Sequence, residues 1–294
     1  MKIRLALFSV ALLLLPALSI WLSGQGLPEH ATIVGNAVLP TLIASLVVTA
    51  ATLLLNAHTH HRSGSSLLHT QRPYIAWLSV AGAGLGTLLA YLNFYTASWI
   101  TSADSLVQSL LLAALLGALL LPSVLVTRLW LAGFPGLLRS LTRALALPKL
   151  GSEPTAWLLL LTALSGLLCG AAWPAQLFWL LWLSPLLLLA ALQLLWHEST
   201  IFSGLNQGDW SRILLSSLSG LLVGGLARAA YMLAGGAVYF SLPLPPLSIT
   251  LGLAIFGLLC LQLGDIVAEP WRGKKRSDIF KKKTFPIPLV VKKD

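Results

Sequence analysis

The sequence predicts an all-α protein, a bundle of about eight helices that cross a lipid bilayer. Hydrophobic residues make up 57% of the 294 residues and charged residues only 10%, and the mean hydropathy is +0.85. A water-soluble domain of this length cannot bury so much apolar surface, whereas lipid can cover it. The second observation is that Lys and Arg are confined to alternate segments between the apolar stretches.

The first predicted span, about 3–23, follows Lys2 and Arg4 and resembles a secretory signal peptide. It is longer than the apolar part of a usual signal, and no clear small-residue cleavage site follows it. We therefore expect it to be retained as a helix, although cleavage would leave the rest of the topology unchanged.

Seven further stretches are close to the 20 apolar residues that a helix needs to cross the hydrocarbon core. The predicted spans are about 33–57, 74–97, 106–127, 156–172, 175–196, 213–238 and 249–268. The fifth and sixth spans of the chain are joined by Trp173 and Pro174, and the last two by the proline-rich segment 241–248. Proline cannot continue a helix there. We expect one transmembrane domain, 1–268, followed by a basic tail, 269–294.

The distribution of Lys and Arg predicts how the helices are threaded. Five segments hold 2, 2, 4, 1 and 9 of the 19 basic residues: 1–4, 58–73, 128–155, 197–212 and 269–294. The intervening connections hold none, and Arg228, inside a span, is the nineteenth. Basic segments stay on the cytoplasmic side. Both termini are therefore predicted to be cytoplasmic, and the location is predicted to be a bacterial inner membrane.

The net charge of +10 is explained by this topology rather than by nucleic acid, which we do not expect as a partner. The expected partners are the lipid bilayer, anionic lipids at its cytoplasmic face and other membrane proteins. The tail 269–294 carries Arg272 and the run Lys281–Lys283 beside the membrane. One interpretation is that it holds anionic lipid, at about 1 kcal/mol per basic residue. The alternative is that its charge is only a topology signal.

Arg228 is the main candidate for a binding residue. It shares a helix face with Ser216, Gly220 and Gly224, because these residues are spaced by four, and the two glycines form a close-packing motif. A charge at this depth usually faces protein or water. We expect Arg228 to face a polar pocket in the outer half of the bundle. Two asparagines at a similar level complete this set of substrate-binding candidates: Asn36 and Asn93. The alternative is that Arg228 extends to the headgroups or forms a structural pair.

A second candidate site consists of carboxylates at the predicted cytoplasmic side. Its members are Glu198, Asp209, Asp265 and Glu269. Four carboxylates at one mouth are typical of a cation site or a proton relay. They could equally neutralise Arg212 and the basic tail, and both interpretations stay open.

The sequence predicts no cofactor and no metal site. Cys169 and Cys260 both lie in apolar stretches, and none of the six histidines lies deep in a span. No phosphate-binding glycine loop is present.

Two functions remain, and an enzyme is the less favoured. The first is a non-enzymatic membrane component, an assembly subunit or a carrier of small or lipidic cargo, that uses Arg228. The second is a lipid-acting membrane enzyme that uses Glu198, Asp209 and Asp265. A requirement for a divalent metal would favour the enzyme, and co-purification with fixed partners would favour the component.

Overall fold

The chain folds into a bundle of long helices, as a computed structural model shows for residues 14, 37–101, 105–148, 152–196, 198, 200–240 and 246–268. Within these residues, seven helices are long and apolar enough to cross a membrane. They are α1 (Val38–Ser63), α3 (Arg72–Thr96), α4 (Leu106–Ala132), α6 (Ser152–Ala172), α7 (Pro174–Leu195), α8 (Ser211–Leu233) and α9 (Pro246–Ala268). The connections contain two short helices, α2 (Leu67–Thr70) and α5 (Pro135–Leu141), and a 3-10 turn, Leu205–Gln207. The chain is a multi-pass helical membrane protein.

These seven helices correspond to seven of the eight predicted spans. The first predicted span, 3–23, lies outside the described residues except for Leu14, and the basic tail 269–294 lies outside them entirely. The total number of spans and the side on which the termini lie therefore stay predictions.

Several helix ends differ from the predicted bounds; α1, for example, continues to Ser63 rather than ending at 57. Helix α4 continues to Ala132, five residues past the predicted end at 127. Arg128, which the sequence placed in the basic segment 128–155 after the span, is therefore part of the helix. Helix α8 ends at Leu233 rather than at 238. The reason is Gly235, whose φ of 84° is left-handed and cannot continue a helix.

Consecutive long helices pack as hairpins in which glycines bring the backbones together. The three hairpins are α3 with α4, α6 with α7 and α8 with α9, and they make the most extensive helix contacts in the described bundle. Close approaches join Gly82 to Gly117, Gly166 to Ser184, and Gly220 to Gly257. A β-carbon at any of these glycines would clash with the facing helix. The predicted close packing at Gly220 is thus confirmed.

A two-stranded sheet, which the sequence did not indicate, ties two of the hairpins together at one end. Strand β1 (Ile100–Thr101) follows α3, strand β2 (Val238–Tyr239) follows α8, and the two pair antiparallel. We call this end of the bundle the sheet end. The opposite end holds the last turns of α4 and α9 and the first turn of α8. We call it the basic end.

The core of the bundle is formed by leucines from several helices. Leu78, Leu92, Leu121 and Leu181 are all completely buried. Helix α9 contacts α3, α4 and α7 as well as its hairpin partner α8. This places the last turns of α9 against three other helices, at the basic end.

Candidate functional site

A pocket of about 300 Å³ lies at the basic end, between the α3–α4 hairpin and the last turns of α9. Four of the lining side chains are polar or charged: Gln71, Tyr74, Arg128 and Asp265. The rest of the wall consists of four leucines and of the small residues Gly264 and Ala268. The pocket therefore combines a charged group with an apolar surface.

Arg128 is the charged residue that sequence reasoning missed. It lies four residues before the end of α4 and is partly buried. Its Nε is shielded from solvent and has no hydrogen-bond partner among the described residues. Arg212, Asp265, Tyr74 and Asp209 are close enough to act on it electrostatically. A guanidinium in this position is only partly compensated, because burying a charge is costly unless it is paired and hydrogen-bonded.

Asp265, which lines the pocket, forms an ion pair with Arg212 from the first turn of α8. The Asp265 side chain is 9% exposed and that of Arg212 is 26% exposed. The Nε of Arg212 is shielded and, like that of Arg128, has no hydrogen-bond partner among the described residues. Two carboxylates, Asp265 and Asp209, thus stand near the two guanidinium groups, and Asp209 has the weaker effect on Arg128.

Tyr74 connects the two hairpins at the wall of the pocket. Its hydroxyl lies 3.0 Å from the carbonyl oxygen of Gly264 and donates a hydrogen bond to it. Gly264 also packs against Leu125, so there is no space for a β-carbon at this point. The pocket therefore has one wall that is fixed by a direct bond between α3 and α9.

Asp265 and Asp209, two members of the predicted carboxylate site, make different contacts in the structure. Asp265 is bound to Arg212, which is the alternative that the sequence left open. Asp209 accepts a hydrogen bond of 2.9 Å from the backbone amide of Ser211, at the start of α8. Among the described residues, no group of three or more His, Cys, Asp or Glu side chains could hold a metal ion. Glu269 lies outside those residues, so a cation site that includes it stays a prediction.

Glu198 lies in the connection between α7 and α8. Its backbone amide donates a hydrogen bond of 2.8 Å to the carbonyl oxygen of Gln193, just beyond the end of α7. The side chain is partly buried. The main-chain bond explains the position of Glu198 but assigns no chemistry to its carboxylate.

Arg228 lies five residues before the end of α8, at the sheet end of the bundle. Five residues correspond to about 7.5 Å of helix, half the depth expected from the longer predicted span. Its guanidinium carbon stands 5.4 Å from the centre of the Phe240 ring. Its Nε is shielded from solvent, with no hydrogen-bond partner among the described residues. Gly220 and Gly224, on the same helix face, pack against α9.

The two asparagines that were expected near Arg228 have different outcomes. Asn93 folds over the end of α3: its amide nitrogen donates to the carbonyl oxygen of Trp99 at 2.7 Å, and its amide oxygen accepts from the amide of Trp99 at 3.2 Å. Both ends of the Asn93 side chain are therefore used locally. Asn36 lies outside the described residues.

A buried glutamine pair next to the pocket also escaped the sequence reasoning. The amide nitrogen of Gln262 donates to the amide oxygen of Gln193 at 2.8 Å, and the two residues are 0% and 2% exposed. Gln262 lies three residues before Asp265, on a neighbouring part of the α9 surface. The signal in the sequence is a glutamine near the end of each of two apolar helices, Gln193 in α7 and Gln262 beside Asp265 in α9. That signal gives no indication that the two residues meet.

The bundle thus presents two arginines in different settings, Arg128 in a pocket at the basic end and Arg228 beside Phe240 at the sheet end. Each has a shielded nitrogen without a hydrogen-bond partner in the described part of the chain. The role of each arginine is therefore inferred from its charge and from the residues around it. No protein-family model, no curated protein and no solved structure matches this chain.

Proposed function

We propose that the protein is a non-enzymatic membrane component, a carrier or an assembly subunit, that holds small or lipidic anionic cargo within its helix bundle. The observation that carries the proposal is the charge of the bundle interior. In the described long helices, the charged residues that are not classed as exposed are Arg128, Arg212, Arg228 and Asp265. Two further partly buried carboxylates, Asp209 and Glu198, lie at the basic end between α7 and α8. The described carboxylates are therefore at the basic end, and the positive charge that they leave uncompensated is that of Arg228 at the sheet end.

An uncompensated guanidinium in a low-dielectric interior is unfavourable, and an anion beside it removes much of that cost. Arginine keeps its charge and presents five N–H donors in a fixed fork, which suits carboxylate and phosphate groups. The uncompensated positive charge therefore favours anionic over cationic cargo. The engagement of Asp265 by Arg212 also favours cargo binding over the alternative of a lipid-acting enzyme based on carboxylates.

Arg228 is the residue that we propose to contact the cargo at the sheet end. The face it shares with Gly220 and Gly224 packs inside the bundle rather than against lipid, and its shielded Nε supports the same orientation. The aromatic ring of Phe240 stabilises a cation without neutralising it, which leaves the charge available to an anion.

The proposal includes the setting of the protein. The basic end faces the cytoplasm of a bacterial cell, the protein lies in the inner membrane, and the tail 269–294 contacts anionic lipids. The support is the confinement of basic residues to alternate connections. Membrane-protein partners are part of the assembly-subunit version of the proposal.

The experiment is to exchange the purified protein into nanodiscs containing a bacterial lipid extract and to identify the bound species by native mass spectrometry. Anionic species should be enriched over the bulk extract, and their masses should not change during incubation. Arg228→Leu should reduce this enrichment, while Arg139→Leu, which removes an exposed arginine, should not. Binding in proportion to the bulk composition would overturn the proposal, and conversion of a bound species would support the enzyme instead.

A further inference from the structure

The pocket at Arg128 has a depth that suits the headgroup region of a membrane. Arg128 lies four residues, or about 6 Å, before the end of α4, and it directly follows the predicted span 106–127. Asp265 belongs to the last described turn of α9. Basic side chains near the end of a membrane-spanning helix reach the headgroup layer. The charged part of the pocket is therefore at the level of the headgroups if the helix ends lie at the membrane surface.

The walls of the pocket reach both water and lipid. Gln71 is exposed directly before the start of α3, on the predicted cytoplasmic side. Leu129, on the α4 side, is 40% exposed on the outer surface of a membrane-spanning helix. A molecule in the pocket can therefore have its polar group near Gln71 and its apolar part beside Leu129. Only an amphiphile uses both surfaces.

The charge of the pocket selects an anion. Arg128 and Arg212 supply two positive charges, and Asp265 neutralises one of them through its ion pair with Arg212. Asp209 also acts on Arg128, but more weakly than Arg212 and Asp265 do. The shielded Nε of Arg128 has no hydrogen-bond partner in the described part of the chain, so this guanidinium is the group that an anion can still bind. Arginine and phosphate form paired, charge-assisted hydrogen bonds that are about twice as strong as neutral ones.

The size of the pocket limits how much of the ligand it holds. About 300 Å³ is at the lower end of ligand pockets. This volume accommodates a phosphate and the glycerol next to it, while the acyl chains stay in the bilayer beside the leucines of the wall.

We propose that this pocket binds the phosphate headgroup of an anionic phospholipid, which enters sideways from the leaflet at the basic end. The inference rests on the proposed preference of the bundle for anions, but it assigns a site that does not involve Arg228. A free phosphate would share the contact with Arg128 but would leave the leucine surface unused. The lipid therefore accounts for the whole pocket.

The experiment is a titration of the purified protein in detergent with four defined probes, followed by native mass spectrometry. The probes are phosphatidic acid, phosphatidylcholine, diacylglycerol and inorganic phosphate. Wild-type protein should bind phosphatidic acid about tenfold more tightly than diacylglycerol, which has the same chains without the phosphate. Inorganic phosphate alone should compete weakly. Equal competition by inorganic phosphate would overturn the assignment to a lipid.

Variants of Arg128 test whether this residue binds the phosphate. Arg128→Gln should lower the affinity for phosphatidic acid about tenfold, and Arg139→Gln, at an exposed arginine, should change it less than about twofold. Arg128→Lys keeps the charge and loses the fork, so it should also weaken binding and serves if the Gln variant does not fold. Wild-type affinity in both Arg128 variants would overturn the site.

Failure of this site can be distinguished from failure of the proposed function. If phosphatidic acid is preferred over phosphatidylcholine but only Arg228→Leu reduces its binding, the pocket is wrong and the proposed function stands. If no anionic probe is preferred over phosphatidylcholine, both are wrong.

Discussion

Replacing Asp265 by Asn is expected to weaken the contact between α8 and α9 at the basic end. Asn has the same shape but no charge, so the ion pair with Arg212 is lost and the guanidinium stays where it is. Removing one partner of a fully buried pair costs about 3–5 kcal/mol, because the other charge is left uncompensated. Water can reach Arg212, whose side chain is 26% exposed, and this reduces the cost. We expect a loss of about 2 kcal/mol in the free energy of unfolding.

The assay is a double-mutant cycle with Arg212→Gln, measured by equilibrium unfolding in mixed detergent and SDS. Each single variant leaves one charge without its partner, whereas the double variant leaves neither. The double variant should therefore be more stable than the sum of the two losses predicts, with a coupling energy of about 1–2 kcal/mol. Additive losses would mean that the ion pair contributes nothing, and the reasoning about a shared carboxylate would fail.

The same variant separates the two interpretations of this end of the bundle. If the region binds anions, Asp265→Asn removes a competing negative charge, and the affinity for phosphatidic acid should rise. If Asp265 belonged to a cation site, the variant should abolish any stabilisation by divalent cations and leave lipid affinity unchanged. The two interpretations predict different signals in one titration.

Two further predictions concern packing and topology. Gly220→Ala should lower the free energy of unfolding by about 1–3 kcal/mol, because its β-carbon meets the backbone of Leu253 and Gly257. Gly225→Ala, with open space at the β-carbon, should be neutral, and equal losses would contradict close packing as the cause. Reporters fused after Asp294 should remain cytoplasmic and reporters inserted in 241–248 should be exported; an exported C-terminal reporter would contradict the charge-based topology.

The long helices could be predicted because hydropathy over about 20 residues is a local property of the chain. Their ends were less predictable, since two of them depend on single residues. The predicted span that became α4 ended at 127 because Arg128 carries a charge, yet the helix continues through it. Asp265, which lines the same pocket, comes from a distant part of the chain. Hydropathy cannot detect a compensation between residues so far apart in sequence.

The sheet and the glutamine pair were unpredictable for a related reason. Strands of two residues, such as Ile100–Thr101, are too short for an alternating pattern. Gln193 lies alone near the end of α7 and Gln262 lies beside Asp265 in α9, and only the packing of α7 against α9 brings the two glutamines together. Arg228 was recognised because a charge inside a span is conspicuous by itself. The contact between Arg228 and Phe240 was not predicted, because it depends on α8 ending early, at Leu233.

The sheet at one end of the bundle has a mechanical consequence for the other. Strands β1 and β2 join the α3–α4 hairpin to the α8–α9 hairpin at the sheet end, and the hydrogen bond from Tyr74 to Gly264 joins the same two hairpins at the pocket. Arg128 belongs to one hairpin and Asp265 to the other. Helices of about 25 residues are about 37 Å long, so these two ties lie far apart along the bundle. Two ties so far apart oppose any tilting of one hairpin against the other, and Arg128 and Asp265 are therefore held at a fixed separation.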